Sequence, residues 1–73
     1  MQPDNFFLKH LPIRLGQFLK VTNIANDGIH AKHIIGNGEI RVNDIVVRNR
    51  GKQLVEGDRV EYLDKIHLRL MLK

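Results

Sequence analysis

The chain has 73 residues, no cysteine and a formal net charge of +4. Such a length suits one small domain with a thin core, so we expect residues 1–73 to fold as a single unit without an enclosed active site. The absence of cysteine excludes disulfides, thiolate metal sites and a thiol nucleophile, and fits a cytoplasmic location. Neither a signal peptide nor an apolar stretch of roughly 20 residues, as a membrane span requires, is visible.

Positive charge is concentrated in one part of the chain. Residues 9–52 hold eight lysines and arginines against three acidic residues, whereas residues 53–73 hold four of each sign. A basic surface can simply keep a small protein soluble. Its confinement to one stretch favours nucleic acid as the specific partner.

An edge strand and a first helix are predicted near the start of the chain. Residues 6–8 are apolar and suit a short edge strand. Residues 13–23 then predict a helix, in which Gly16 would let another segment approach closely. The apolar residues of this helix are spaced i, i+3 and i+4 and form one stripe: Leu15, Phe18 and Leu19.

A second helix is predicted over residues 28–35. Asn26 and Asp27 are residue types that cap helix N-termini, and residues 36–38 (GNG) suit a helix end. Ile29 projects away from the apolar side of this helix, over the inter-helix loop or into a binding face. The core-facing residues are Ala31, Ile34 and Ile35.

A β-hairpin follows, with Asn43-Asp44 as its two-residue turn. This turn places Ile40, Val42, Ile45 and Val47 on one face, and Arg41 and Arg48 on the other. Residues 59–63 predict another strand. Residues 64–73 alternate apolar and mostly polar side chains, which predicts either a strand or a tail that needs a partner to become ordered. The expected fold is therefore α+β, with two short helices packed on a small, mainly antiparallel sheet.

No catalytic or metal-binding pattern stands out. His30 and His33 are three residues apart on one helix, but no cysteine or well-placed third ligand accompanies them. There is no Ser/His/Asp arrangement and no glycine-rich phosphate loop, so we expect neither catalysis nor a cofactor. Aromatic residues are few, so base stacking should not dominate binding. The candidate site is a set of basic residues: Arg14, Lys20, Lys32, Arg41, Arg48, Arg50 and Lys52.

Four ordered pieces of the sequence match a known family. They are Arg14-Leu15-x-x-Phe18-Leu19, Ala31-Lys32-x-Ile34-Ile35-x-x-Gly38, Ile40-x-Val42-Asn43 and Gly57-Asp58-x-Val60. Through these pieces, residues 14–58 resemble the RNA-binding domain of ribosomal protein S4, or alpha-L motif. The chain looks closest to small stand-alone bacterial members.

The resemblance implies that two helices and an adjoining loop present basic side chains to structured RNA. Arg14 and Lys32 match positions where such side chains are usual. Many members have Ser-Arg at the start of the second helix, where this chain has Asp27-Gly28. This difference makes the second helix a weaker candidate for RNA contact and favours the later basic residues Arg41, Arg48, Arg50 and Lys52. Asp44 replaces the usual turn glycine, which predicts slight strain in the hairpin.

We therefore predict non-catalytic binding of structured RNA, either ribosomal or transfer RNA. The alternative is a protein-interaction module in a ribosome-linked or nucleic-acid-linked assembly, with the C-terminal tail docking on a ribosomal subunit or protein partner. Duplex DNA is a weaker candidate, because neither short helix resembles a major-groove reader.

Overall fold

The computed structural model describes residues 2–73 and contains two helices, a five-stranded sheet and a two-stranded sheet. The elements in chain order are β1 (Asp4–Leu8), β2 (Ile13–Arg14), α1 (Leu15–Val21), α2 (Gly28–Gly36), β3 (Ile40–Val42), β4 (Ile45–Val46), β5 (Gln53–Leu54), β6 (Arg59–Tyr62) and β7 (Ile66–Leu72). The larger sheet has the order β1-β7-β6-β3-β4, and only its β1–β7 pair is parallel. The predicted α+β fold is confirmed.

The core lies between the two helices and one face of the larger sheet. Phe18 of α1 is fully buried, and its ring meets that of Phe6 edge to face at 5.7 Å between centroids. Ile34 and Ile35 of α2 complete the helical side of the core. The sheet contributes alternate residues, which places them on one face: Ile40, Val42, Val60 and Leu70.

Helix α1 is shorter at both ends than the predicted 13–23. Ile13 and Arg14 are not helical, because they pair antiparallel with Leu54 and Gln53 of β5. At the other end, Asn23 adopts a left-handed φ of 62° that ends the helix. The two-stranded sheet was not predicted, since two-residue strands are too short to show a periodic pattern.

Helix α2 confirms the predicted element to within one residue. The Asp27 carboxylate accepts a hydrogen bond from the backbone N–H of His30 at 2.8 Å. The His30 Nδ1 in turn accepts from the backbone N–H of Asn26 at 3.0 Å. This reciprocal arrangement follows the logic of a capping box. The chain leaves the helix through Gly38, at a φ of 74°.

The hairpin turn forms as predicted, with left-handed φ values of 52° at Asn43 and 72° at Asp44. The Asn43 side chain donates to Asp58 at 3.0 Å and accepts from the Arg59 backbone N–H at 2.9 Å. The turn is thus tied to the start of β6. Ile45 is 67% exposed although it faces the same way as Val42, because β4 is the edge strand.

The C-terminal segment is an ordered inner strand. Strand β7 pairs with β1 on one side and with β6 on the other, and Leu70 is fully buried. Of the two options that the sequence left open, the strand is the observed one. Leu68 and Arg69 are paired on both sides, so this part of the β7 backbone cannot accept a partner strand. Within residues 2–73, no helix has the length and apolarity of a membrane span.

Candidate nucleic-acid interface

A basic loop, residues 47–52, is held against the start of helix α1. The α1 N-terminus has no side-chain cap; instead, the backbone N–H groups of Leu15 and Gly16 donate to the carbonyls of Lys52 and Arg50 at 2.8 and 3.0 Å. Asn49 shapes the loop by accepting a hydrogen bond from the Gly51 N–H at 2.9 Å. The α1 terminus and the loop therefore satisfy each other's backbone groups.

The basic loop and the outer faces of the two helices surround an open groove of about 670 Å³. Among residues 2–73, five cationic side chains line it, and no aspartate or glutamate does. Two come from α1 and its N-cap, one from α2 and two from the basic loop: Arg14, Lys20, Lys32, Arg48 and Arg50.

The five groove cations are exposed, and none forms an ion pair with another described residue. Like charges gathered without counter-charges create a positive potential that attracts anions. Arginine can also grip a phosphate with two parallel hydrogen bonds. The arrangement therefore suits a polyanion that spans the groove.

Gly38 determines how Arg48 reaches the groove. A Cβ built at Gly38 would lie 2.7 Å from an Arg48 guanidinium nitrogen, closer than real contacts allow. The guanidinium consequently lies across the bare backbone where α2 ends. Glycine at this position thus serves both the left-handed φ and the placement of Arg48.

A second depression of about 530 Å³ adjoins the groove, since Gly28, Lys32 and Arg50 line both. Ile29 projects into this region and is 70% exposed. The Asp27 carboxylate also borders it, but is engaged in capping α2. Of the two positions considered for Ile29 from the sequence, the structure places it beside the cations.

Two comparisons with known proteins bear on this geometry. A family model described as S4 domain matches residues 6–70. The chain belongs to the S4 domain family. It is also 43% identical over 49 residues to a protein of Bacillus subtilis (strain 168) named probable ribosome maturation protein RlbA, a match that covers 67% of this chain and 69% of the relative.

This S4 domain does not bring all seven predicted basic residues together. Arg41 lies on the outer face of the larger sheet, where its guanidinium pairs with Glu61 at 3.0 Å and approaches Asp64 at 3.8 Å. The expectation that Arg41 and Arg48 share a hairpin face is wrong, because β4 ends at Val46 and Arg48 already belongs to the basic loop. Lys52 is exposed in that loop but does not line the groove.

The groove also contains two neutral polar side chains that the sequence pattern does not indicate. Gln17 and Asn49 line the groove among the cations and offer amide groups to a ligand. Polar residues in a helix and a loop carry no signal of their own until the fold places them. No aromatic side chain lines the groove, and within residues 2–73 no three His, Asp or Glu side chains are grouped as a metal site requires.

Proposed function

We propose that this S4 domain binds structured ribosomal RNA through the basic groove and performs no catalysis itself. The observation that carries the proposal is that, among the described residues, five cations without ion-pair partners and no acidic residue line one groove. The whole chain would act as one RNA-binding unit, since the groove draws on the helices, the basic loop and the strands that hold them.

The chemistry of the groove favours a folded RNA backbone over exposed bases. Phe18 is buried and Phe6 packs against it, while Tyr62 packs against the core. Phe7 is exposed but alternates with Phe6 along β1, and so lies on the other face of the sheet. Without a stacking surface in the groove, recognition rests on phosphates and on RNA shape.

The relative named for ribosome maturation supports ribosomal RNA as the target and a role during ribosome assembly. That setting also agrees with a cytoplasmic location. Transfer RNA is the competing target, because a basic groove of this kind reads the backbone and not the sequence. Sequencing the RNA that co-purifies with the protein from its own cells separates the two.

The direct test measures affinity for a structured ribosomal RNA fragment at several salt concentrations. Neutralising four to six phosphates gives a slope of roughly −3 to −5 on a log–log plot. An unstructured single strand of equal length should bind more weakly, as should duplex DNA. A flat salt response, or tighter binding of the single strand, would overturn the proposal.

A further inference from the structure

The six glycines of the chain divide into two groups. Gly38 and Gly57 have left-handed φ values and lie outside the groove lining. The other four have ordinary φ values, so their backbones do not demand glycine, and all four line the groove: Gly16, Gly28, Gly36 and Gly51.

At two of the groove glycines, a Cβ would meet atoms of the basic loop. A Cβ at Gly16 would lie 3.6 Å from the Arg50 backbone oxygen, and one at Gly51 would lie 3.3 Å from the Asn49 side-chain oxygen. The first distance is an ordinary van der Waals contact and the second is tight, so neighbouring atoms constrain a side chain at Gly51 only. Gly28 and Gly36 differ, because a Cβ at either would meet no atom within 4 Å.

Gly28 and Gly36 lie one helical turn on either side of Lys32 on the groove face of α2. Glycine is a poor helix former, and neither packing nor backbone conformation requires it at these positions. The groove wall formed by α2 thus offers a single long side chain, Lys32, between two stretches of bare backbone.

We infer that Gly28 and Gly36, by lacking side chains, let the sugar–phosphate backbone of the RNA reach the α2 surface of the groove beside Lys32. This inference rests on the proposed function. When the RNA backbone lies close to α2, its phosphates can contact cations of α2 and of the basic loop at the same time. Long side chains at positions 28 and 36 would hold the RNA too far away for this. The five groove cations make a polyanion the ligand that fits.

Gly28→Gln and Gly36→Gln test the inference, with His33→Gln as the matched control. His33 is exposed on the same helix but does not line the groove. Glutamine adds no charge and favours helix over glycine, so melting temperatures should stay the same or rise. Affinity for the ribosomal RNA fragment should fall about tenfold, as for the loss of one charge-assisted hydrogen bond. The His33 variant should bind like the parent protein.

The salt dependence separates a steric effect from an electrostatic one. The glutamine variants should keep most of the parent's log–log slope, because all five cations remain. Parent-like affinity in both variants would overturn the inference while leaving the proposed function intact. A lowered melting temperature would also overturn it, since the fold would then require these glycines. Failure of the parent protein to bind the RNA would instead remove the proposed function.

Discussion

The groove and the outer face of the larger sheet both carry arginines, but among the described residues only the arginines on the sheet face form ion pairs. On the sheet face, Arg41 pairs with Glu61, and Arg59 pairs with Asp44 at 2.9 Å. In the groove, Arg48 and Arg50 have no acidic partner among residues 2–73. Arg41 and Arg48, seven residues apart, therefore have different surroundings: Arg41 is ion-paired, and Arg48 has no acidic partner among the described residues.

The largest expected effect comes from a substitution in the hydrophobic core, on which the groove and the sheet face both depend. Phe18→Ala should cost about 3–5 kcal/mol of unfolding free energy, because Phe18 is fully buried against Phe6. A domain of this size has little more in total, so the variant should unfold and lose RNA binding together. Circular dichroism melting measures this.

Phe7→Ala is the matched control for that variant. Phe7 is 56% exposed on the neighbouring position of β1, so its loss should lower the melting temperature far less. If Phe18→Ala stays folded but loses RNA, then Phe18 is a ligand contact and the assignment of the α1 faces is inverted.

The second prediction separates the two surfaces. Replacing Arg48 and Arg50 together with alanine should weaken RNA binding by roughly 1–3 kcal/mol and reduce the salt slope by about two, while melting hardly changes. Replacing Arg41 and Arg59 together removes the same charge from the sheet face. Their contacts are ion pairs, so this second variant should bind RNA nearly as the parent does. Equal losses in both variants would mean that net charge, and not the groove, governs binding.

The sequence predicts well what depends on local pattern. The apolar stripe of α1, the Asp27 cap and the Asn43-Asp44 turn are each set by neighbouring residues, and all three occur. The basic candidates on the helices also come together, since the two apolar stripes determine which way Lys20 and Lys32 point.

What the sequence does not predict depends on distant partners. Strand β2 exists because β5, some 40 residues later, pairs with it. Arg41 lies outside the groove and pairs with Glu61, which becomes its neighbour only when β3 pairs with β6. The basic loop reaches the groove because the α1 terminus needs its carbonyls. None of these contacts leaves a pattern within its own segment.

A smaller effect is expected at the hairpin turn, which links the two surfaces. Asn43→Ala should destabilise the protein by about 1–3 kcal/mol, because it removes two hydrogen bonds to the β6 start and puts alanine at a left-handed φ. RNA affinity of the folded protein should stay close to the parent value, since Asn43 does not line the groove. Denaturant melts and binding titrations measure the two quantities. A large loss of affinity at unchanged stability would contradict a purely structural turn.

The smallest expected effect concerns Asp44, next to the turn. The hydrogen bond and charge of Arg59 hold the pKa of the Asp44 carboxyl below its ordinary value of 3.8. A folded-state pKa below the unfolded one contributes stability that is present above the unfolded value and lost as pH falls through the folded value. Asp44→Asn, which tolerates the left-handed φ of 72°, should therefore melt slightly below the parent at neutral pH and converge with it in acid. High salt should shrink the neutral-pH difference, because the pair is exposed. If the melting temperatures of the variant and the parent still differ below the folded-state pKa, Asp44 acts through the turn geometry and not through its charge.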